Sequence, residues 1–547
     1  MRVKIDGVAY DVPKGATVEE AVAKTGKYDE YSVLAAYSER GAIRLSEVLD
    51  EGDDIRTINA GSEEGYRIYR QSLTFVLISA VNRIFPGQMV YIRQSVNRST
   101  YCELSGGAPD ESSIAKLLEL MRKMAAENFP LEIVKMKKEE AAKKAAANNK
   151  ELAEKLSYTP TTEVTLYRDG DNYYSVYGAT VPHAGYVKSF DITSFDTGFL
   201  LRYPNPDMGG EIPDLYTGKK VLETINEYRD WNEVIGVSDV SALNKIIAEG
   251  KIHECINISE IMHEIKFSHI ADEIKNDILN KKIILISGPS SSGKTTFANR
   301  LMLHLRVNGI RPEVISLDDY FWGRDVPPIL DEHGKANYED LEAIDYKLFN
   351  SHLSALVKGE RVTIPRFNFH TGERDDNGKT IKLEANSVLL VEGIHALNEK
   401  LTYGVSAKNK YKVYCSALTV MSFDNYNPIS PTDTRLIRRL IRDNKFRNSS
   451  PVETLEMWNS VQRGEVKNIF PYEESADVIF NSALAYEFSV YKNLATPLFM
   501  QIPSTHPGYP RVRRIIELLA NFAPIDDRYI PPMSILREFV GGSSIKY

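Results

Sequence analysis

One short run of small and polar residues, SGPSSSGKTTF at 287–297, has the composition and spacing to hold phosphate groups. It contains the pattern G-x-x-x-x-G-K-[ST], in which glycines let backbone N–H groups surround phosphate oxygens. The lysine of the pattern, Lys294, reaches the terminal phosphates, and the hydroxyl of Thr295 ligates Mg²⁺. We therefore expect nucleotide phosphates and Mg²⁺ to be held by Gly288, Pro289, Ser290, Ser291, Ser292, Gly293, Lys294, Thr295 and Thr296.

A nucleotide at this site could be hydrolysed, or it could donate a phosphoryl group to a second substrate. The segment DNKFR fails the guanine-reading pattern N-K-x-D, because Arg447 stands where Asp is required. The apolar run SVLLVEGIHAL ends in a lone Glu392 rather than the Asp-Glu pair expected of ATPases. The run EVISL is followed by DDYFW, which puts Asp318 at the carboxyl end of a strand, where ligands collect in open α/β sheets. A carboxylate there can accept the proton of an attacking hydroxyl, which favours a kinase over a motor ATPase.

The elements that position these residues alternate between buried strands and helices. KKIILISG, EVISL, SVLLVEG, KVYCSA and ADVIF are apolar runs typical of strands in a parallel sheet. Phe297, Leu301 and Leu305 recur at helical spacing after the phosphate motif. The alternation predicts a doubly wound, parallel-sheet P-loop NTPase domain over 275–485.

From about Lys282 to Ser482 the sequence resembles the uridine kinase and phosphoribulokinase branch of P-loop enzymes. LDDYF resembles that family's D-x-[FY]-Y segment, and VEGIHAL resembles its E-G-I strand end. NYEDLEAIDYKLF resembles its N-F-D-H-P-x-A-F-D segment, and IPRFNFHTGER its I-P-x-Y-D-F-x-x-H-x-R segment. The resemblance implies transfer of the ATP γ-phosphate to the 5′-hydroxyl of a ribonucleoside or related ribose alcohol. It implies that Asp318 is the general base and that the acceptor is bound by Asp318, Phe321, Glu339, Phe367, His370, Arg374 and Arg435.

The segment TDTRLIRRLIRDNKFR at 432–447 is similar to the arginine-rich lid helix of that family. Arg435, Arg438 and Arg442 fall three or four residues apart, so they share one helix face. Such a face can close over phosphates and neutralise charge on the transferring group, which makes Arg438 and Arg442 candidate catalytic residues beside Lys294. A solvated basic helix is the alternative interpretation.

The acceptor segments depart from the family pattern. Phe321 and Phe367 replace tyrosines, and the base-reading His falls at Gly372, with His370 two residues earlier as a substitute. A pocket with apolar groups at these positions discriminates polar base edges less well, so a preference for uridine does not follow. The segment with Trp322, Pro327 and Pro328 is expected to form an ordered loop over the acceptor pocket. An exposed turn is the alternative interpretation.

Glu392 has three candidate roles: ligating Mg²⁺ directly, holding a metal-bound water, or capping the strand end. We favour the water role because Mg²⁺ keeps most of its hydration. Asp319 and Asp433 are weaker candidates, since both can be solvated loop carboxylates.

Residues 1–60 are predicted to form a ββαββ roll. Val3 and Ile5 alternate with polar residues, and Thr17 to Glu20 has the spacing of a capping box. This segment resembles the TGS domain, a ubiquitin-like module of threonyl-tRNA synthetases and some GTPases. The candidate roles of the amino-terminal modules are binding of tRNA, of a ribosomal surface or of a small amino acid, or support of oligomerisation alone.

Residues 61–265 resemble the editing-type second domain of threonyl-tRNA synthetase, an α+β unit. They include an expected exposed helix, VKMKKEEAAKKAAANNKELAEKL, and an expected β segment from Tyr173 to Phe199. The family's metal-binding His and Cys positions are occupied by Gln71, Phe75, Val176 and Thr180. Phe75 and Val176 cannot ligate a metal or move a proton, so we expect a scaffold without editing chemistry; nearby His183 is expected to be structural.

The whole chain has 547 residues, a net charge of −8 and three widely separated cysteines. These properties predict a multidomain α+β and α/β protein of the reducing cytoplasm without a membrane span. The helical extension 486–547 carries apolar runs that must pack on the kinase domain or on a second copy of the chain. A rival to the kinase hypothesis is a nucleotide-sensing regulator that contacts RNA, tRNA or the ribosome through its amino-terminal domains and uses the P-loop as a switch.

Overall fold

The protein is described here from a computed structural model of residues 1–547. The described residues exclude 30, 40, 97, 160, 207–208, 216–217, 324–325, 331–333, 335–336, 369–370 and 547, and the side chains of 148 and 151. His370, a predicted acceptor-site residue, lies outside the described residues.

The amino-terminal segment is a five-stranded mixed sheet with one helix. Its elements are β1 (Arg2–Ile5), β2 (Val8–Asp11), α1 (Val18–Lys24), β3 (Val33–Ser38), β4 (Gly41–Ile43) and β5 (Asp54–Asn59). The strand order is β2-β1-β5-β3-β4, and β1 pairs with β5 in parallel. The capping box predicted at Thr17 and Glu20 is present at the start of α1. The roll has one strand more than the predicted ββαββ order.

The next segment contains two antiparallel sheets and four helices. Its elements are α2 (Glu63–Ile84), β6 (Val90–Val96), β7 (Ser99–Leu104), α3 (Glu111–Ala126), β8 (Glu132–Lys137), α4 (Lys138–Asn148), α5 (Lys150–Tyr158), β9 (Glu163–Asp169), β10 (Asn172–Ser175), β11 (Asp191–Phe195) and β12 (Gly198–Arg202). The sheets have the orders β10-β9-β8 and β11-β12-β7-β6.

The single exposed helix predicted over 134–156 is not what the structure shows. Residues 134–137 belong to β8, and the helical part divides at Asn149 into α4 and α5. The Asn149 side chain accepts a hydrogen bond from the Leu152 N–H at 3.0 Å, which caps the second helix. Ala145 and Leu152 are buried in a small shared core, so the pair is not wholly exposed.

Three helices connect this segment to the phosphate motif: α6 (Lys220–Val234), α7 (Val240–Ala248) and α8 (Ile252–Asn276). Most of these residues fall within the range 61–265 that was predicted as the second segment. In the structure, Val221 and Ile225 of α6 pack against one face of the parallel sheet. Phe267 and Ile270 of α8 pack against its other face.

The parallel sheet and its surrounding elements follow. They are β13 (Ile283–Ser287), α9 (Lys294–Val307), β14 (Arg311–Ser316), α10 (Tyr346–Val357), β15 (Val362–Thr363), β16 (Arg366–Asn368), β17 (Glu373–Asp375), β18 (Thr380–Ile381), β19 (Ser387–Glu392), β20 (Lys410–Ser416), β21 (Ser422–Asp424), β22 (Asn427–Pro428), α11 (Pro431–Phe446), α12 (Pro451–Asn468) and β23 (Val478–Asn481).

All five apolar runs predicted as strands form this sheet, in the order β14-β19-β13-β20-β23 with every pairing parallel. Alternate residues of β13 point to opposite faces. Ile283 and Leu285 join one core, whereas Ile284 and Ile286 join the other. Cores on both faces confirm the predicted doubly wound arrangement.

The carboxy-terminal part contains α13 (Glu487–Phe499), α14 (Tyr509–Ala520) and α15 (Arg537–Val540). The apolar residues of α13 and α14, together with Val540 of α15, share one core with α11 and α12 of the same chain. The apolar runs whose partner the sequence left open therefore pack within the chain.

A hairpin formed by β21 and β22 connects the parallel-sheet part to the amino-terminal segments. Tyr426 at its turn packs edge-on against Tyr174, with ring centroids 5.2 Å apart. Gln94 donates to the backbone carbonyls of Thr419 and Val420 at 3.0 and 2.7 Å. The connection fixes the chain that leads into α11.

Asp433 in the first turn of α11 is buried, unlike the solvated loop carboxylate that we considered from the sequence. It accepts hydrogen bonds from Arg514 of α14 at 3.1 Å and from Arg67 of α2 at 3.4 Å. Burial would raise its pKa, but the two guanidiniums outweigh burial and lower the pKa to about 2. One carboxylate thus ties α11 to two other parts of the fold.

No helix in the described part of the chain is long and apolar enough to cross a membrane.

Arg438 in the middle of α11 is fully buried and ion-paired with Glu487 of α13 at 2.7 Å. It also donates to the side chain and the carbonyl of Ser482, both at 2.9 Å. The pair fixes α11 to the carboxy-terminal part from the inside of the protein.

Replacing Arg438 alone should be costly because it leaves the Glu487 carboxylate buried without a cation. We expect Arg438→Met to destabilise the protein by about 3–5 kcal/mol and to lower the midpoint of thermal unfolding. The double variant Arg438→Met/Glu487→Leu should recover most of this loss. Arg513→Met removes an exposed pair with Glu517 and serves as the control, with an expected loss of at most about 1 kcal/mol. Equal midpoints for Arg438→Met and the control in differential scanning calorimetry would contradict this account.

Candidate active site

The phosphate loop lies between the end of β13 and the start of α9, as predicted. Gly293 has a φ of 91°, a left-handed conformation that side-chain-bearing residues rarely adopt. A Cβ on Gly288 would lie 1.9 Å from the carbonyl oxygen of Cys415, so this position admits only glycine. The two glycines are required by backbone geometry.

Polar groups of the loop face inward. The Lys294 ammonium donates to the carbonyl of Pro289 at 3.0 Å, and the Ser290 N–H donates to Glu465 at 3.0 Å. The Ser291 hydroxyl is buried and has no hydrogen-bond partner among the described residues. A buried donor without a partner, next to a helix amino terminus, fits an anionic ligand.

Two carboxylates lie at the carboxyl ends of neighbouring strands. Ser316, the last residue of β14, pairs in register with Glu392, the last residue of β19. The Ser316 hydroxyl donates to Glu392 at 3.1 Å. Asp318 lies in the 3₁₀ turn that follows β14, so parallel pairing brings it to the same edge as Glu392.

The pKa values of these two carboxylates are both raised, and the charge of Asp318 acts on Glu392. The Asp318 side chain is open to solvent on one side, but the protein around it removes part of its hydration and raises its pKa. The positive charges of Lys294, Arg447 and Arg442 oppose this shift. Burial, followed by the charge of Asp318, raises the pKa of Glu392 to about 7. Two carboxylates therefore share one site next to the lysine of the loop.

The arginines of α11 divide into two groups. Arg435 pairs with Glu465 at 2.8 Å and donates to the carbonyl of Ser290 at 3.2 Å. Arg439 donates to the Ser290 hydroxyl at 2.9 Å. Both therefore lie beside the phosphate loop.

Arg442 and Arg447 form the second group, near the end of α11. Each contacts Asp443, at 3.0 and 3.5 Å, and the positive charge of each acts on Asp318. Their placement provides two cations whose charge acts on Asp318.

Arg438 does not join these arginines, although the spacing predicted a shared face and a catalytic role. Its guanidinium is directed at Glu487 and Ser482 inside the protein. The helix turns 100° per residue, so Arg439 rather than Arg438 follows Arg435 toward the loop. The predicted catalytic role of Arg438 is therefore wrong, and this side chain stabilises the packing of α11 against the carboxy-terminal part.

Glu339 lies against α12, where the Asn468 side chain donates to its backbone carbonyl at 2.6 Å. One of its carboxylate oxygens is buried and has no hydrogen-bond partner among the described residues. Burial and the nearby charge of Glu465 raise its pKa to about 7, against the opposing charges of Arg439 and Lys294. An unpaired carboxylate oxygen in this position can accept a hydrogen bond from a ligand hydroxyl.

Phe321 and Phe367 lie next to Asp318. Their ring centroids are 5.6 Å apart, and the Phe321 N–H donates to the Asp318 carbonyl at 3.3 Å. Asp319 accepts from the Phe367 N–H at 3.3 Å, which gives this carboxylate a structural role. The two rings form an apolar wall beside the candidate base.

Arg374 lies behind this wall. Its guanidinium stacks 5.2 Å from the Trp322 ring centroid and pairs with Asp345 at 3.4 Å. Trp322 is in turn held by its indole N–H, which donates to the Glu342 carbonyl at 3.1 Å. The Trp322 side chain is therefore held by contacts within the protein, and the guanidinium of Arg374 is partly occupied by protein contacts.

Several residues of the site were missed by the sequence analysis. Arg439 was overlooked because its neighbour Arg438 fits the same spacing, and Arg447 was considered only as a mismatch to a GTPase motif. Glu465 belongs to α12, whose sequence gives no motif. Glu538 accepts hydrogen bonds from Thr296 of the phosphate loop, but it lies beyond the segment 282–482 that resembles the kinase family, and no motif surrounds it.

The positions that replace editing residues also have structural contacts. Gln71 donates to Asn427 at 3.0 Å, Phe75 packs 4.5 Å from Tyr167 between ring centroids, and Thr180 is fully buried. His183 accepts from the Gly185 N–H at 3.2 Å. Among the described residues no group of three or more His, Cys, Asp or Glu side chains could hold a metal ion.

Comparisons with known proteins cover the parallel-sheet part. Residues 283–487 match the family described as Phosphoribulokinase / Uridine kinase. A uridine kinase of Staphylococcus haemolyticus (strain JCSC1435) is 29% identical over 201 residues, which are 37% of this chain and 87% of that protein. A uridine kinase of Staphylococcus aureus (strain JH9) is 30% identical over 198 residues, which are 36% of this chain and 86% of that protein.

A solved structure described as a possible uridine kinase from Bacillus stearothermophilus is 21% identical and covers 40% of this chain and 100% of its own. Its TM-score of 0.24 is too low to carry an argument. The sequence matches establish the family. Through residues 283–487, this chain belongs to the phosphoribulokinase and uridine kinase family, whose members are phosphotransferases.

Proposed function

We propose that this protein transfers the γ-phosphoryl group of ATP to the 5′-hydroxyl of a ribonucleoside or a related ribose alcohol. The observation that carries the proposal is the arrangement of Asp318 and Glu392 beside Lys294 at the carboxyl edge of the sheet. Membership in this family supports a phosphotransferase activity.

The donor phosphates would be held by the loop from Gly288 to Thr296. The unpartnered Ser291 hydroxyl and the first N–H groups of α9 supply hydrogen-bond donors. Lys294 would release the Pro289 carbonyl and turn to the terminal phosphates, because an anion is the stronger acceptor.

The residues present also fit Mg²⁺. Glu392 shares a partly enclosed edge with Asp318, and a divalent cation there would relieve their repulsion. Thr295 and Glu392 would hold the ion, with Glu392 acting through a bound water. When bound, the ion neutralises charge on the phosphate oxygens.

Asp318 would accept the proton of the acceptor hydroxyl. Its raised pKa makes the carboxylate a better proton acceptor than an ordinary aspartate. Lys294, Arg442 and Arg447 would stabilise the negative charge of the transferring group from the other side.

The acceptor sugar would lie between Asp318 and Glu339. The unpaired oxygen of Glu339 would accept hydrogen bonds from ribose hydroxyls. Phe321 and Phe367 offer an apolar surface on which a flat base can stack, and they provide no polar group to distinguish one base edge from another. We therefore expect activity on more than one nucleoside.

For the amino-terminal segments, we propose a TGS-like roll over 1–60 and a synthetase-like scaffold over 61–265 without editing chemistry. The mixed sheet of order β2-β1-β5-β3-β4 supports the first assignment. The packing of Phe75 and Thr180 in the protein interior supports the loss of editing. Contact with RNA or tRNA, self-association and a cytoplasmic location belong to the same proposal.

The reaction is tested by incubating the full-length protein with labelled ATP, Mg²⁺ and a panel of nucleosides. We expect labelled nucleoside monophosphate, and a loss of about 10²–10⁴-fold in kcat for Asp318→Asn because the proton acceptor is removed. Asp319→Asn is the matched control, because that side chain accepts a hydrogen bond from the Phe367 backbone N–H, and the variant should retain activity. ATP turnover without a nucleoside, equal in wild type and Asp318→Asn, would instead support the nucleotide-sensing regulator.

The raised pKa of Glu392 gives a pH-dependent stability with a definite sign. An ordinary glutamate titrates near 4.5, and Glu392 titrates near 7 in the folded protein, so its ionisation opposes folding as pH rises between these values. At pH 8, Glu392→Gln should therefore have a higher free energy of unfolding than wild type, by at most about 3 kcal/mol, and should unfold at a higher temperature. Near pH 4.5 the two proteins should unfold at similar temperatures.

Thermal unfolding of both proteins across this pH range checks the prediction. Adding Mg²⁺ and ADP at pH 8 should stabilise wild type more than Glu392→Gln, because the variant lacks the carboxylate that would hold the ion. If wild type were more stable than the variant at pH 8 without ligands, the ionised Glu392 carboxylate would not be destabilised by burial and by the charge of Asp318, which would contradict the prediction.

A further inference from the structure

The carboxylate of Glu538 lies on the phosphate loop, although this residue is more than fifty positions beyond the family match that ends at 487. It accepts a hydrogen bond from the backbone N–H of Thr296 at 3.2 Å and another from the Thr296 hydroxyl at 2.6 Å. Thr296 is the third residue of α9 and is fully buried. A side chain from the carboxy-terminal part therefore occupies two donors of the loop that the sequence assigns to phosphate.

The backbone that carries Glu538 is firmly packed. Ile535 and Phe539 are fully buried in the core shared with α9 and the parallel sheet. Ile535 also lies 3.3 Å from the position that a Cβ on Gly293 would occupy, and Lys445 of α11 donates to the carbonyl of Val540 at 2.6 Å. The segment cannot leave the loop without opening this core, whereas the Glu538 side chain is only partly buried and can rotate.

A carboxylate in this place resembles a phosphate chemically. Both are anions that only accept hydrogen bonds, and both are favoured at a helix amino terminus. The N–H and hydroxyl of Thr296 can serve one such anion at a time. A second anion brought to the loop would also be repelled by the first, and the negative charge of Glu538 already acts on Glu392 nearby.

We propose that Glu538 is an intramolecular competitor for the donor nucleotide, and that a nucleotide phosphate binds Thr296 only when the Glu538 side chain turns away. The inference rests on the proposed function, in that the loop takes a nucleotide. It adds that the carboxy-terminal extension sets the affinity of the loop for that nucleotide. Donor affinity in this chain is thus lower than the loop alone would give.

The test is equilibrium binding of ADP and of ATP to the full-length protein with Mg²⁺ and without an acceptor, measured by titration calorimetry. In Glu538→Ala the N–H and the hydroxyl of Thr296 no longer donate to a carboxylate and are available to the nucleotide. This variant should therefore bind either nucleotide about tenfold more tightly than wild type. Glu538→Gln keeps an acceptor but loses the charge, so its affinity should lie between the two. Glu517→Gln removes one negative charge from an exposed pair on α14 and should match wild type.

Lys294→Ala separates this inference from the proposed function. If it abolishes binding in the wild-type and Glu538→Ala backgrounds, the measured ligand is in the loop. Equal or weaker nucleotide binding by both Glu538 variants would then overturn the competitor role. Tighter binding by Glu538→Ala, in a protein that makes no nucleoside monophosphate, would support the competitor role and reject the proposed acceptor chemistry alone.

Thermal unfolding shows whether each variant is folded. If Glu538→Ala fails to fold, the near-isosteric Glu538→Gln still decides the question, because the loss of charge alone should tighten binding. A Glu538→Gln protein that is folded and binds ADP no better than Glu517→Gln would contradict the proposal.

Discussion

The placement of Asp318 and Glu392 together at one edge of the parallel sheet is the constraint on which the site depends. Parallel pairing of β14 and β19 places both acids at strand ends, and the surrounding protein removes part of their hydration. Two like charges in such a place raise each other's pKa and need cations. Lys294 and the arginines at the end of α11 supply part of that charge, and a bound Mg²⁺ would supply the rest.

Helix α11 connects this site to the remainder of the molecule. At its beginning, buried Asp433 holds Arg67 of α2 and Arg514 of α14. In its middle, Arg438 is fixed to Glu487 of α13. Toward its end, Arg439 and Arg442 are directed to the site. Because buried ion pairs tolerate little displacement, the position of the site arginines depends on packing in both the amino-terminal and carboxy-terminal parts.

The sequence was sufficient where local rules decide the structure. A glycine-rich pattern between a buried strand and a helix predicted the phosphate loop, and five apolar runs predicted the five strands of the sheet. Sequence-based predictions were wrong or absent where the direction of a side chain or the boundary of a helix depends on tertiary contacts. Arg438 and Arg439 are adjacent and chemically identical, and only the position of Glu487 decides which one turns inward. Asn149 divides a stretch of strong helix formers because its side chain caps the second helix. Glu538 reaches the loop through packing of Ile535 and Phe539, which no periodicity near the motif predicts.

The central claim is that the Asp318 carboxylate meets an alcohol in line with a phosphate held at Lys294. A crystal structure of the full chain with a non-hydrolysable ATP analogue, Mg²⁺ and a nucleoside tests it most directly. We predict a distance of about 2.6–3.2 Å between an Asp318 oxygen and the 5′-oxygen of the nucleoside, with the sugar hydroxyls next to Glu339. A nucleoside bound elsewhere, or an Asp318 side chain turned away with no space for a sugar between it and the phosphates, would contradict the account.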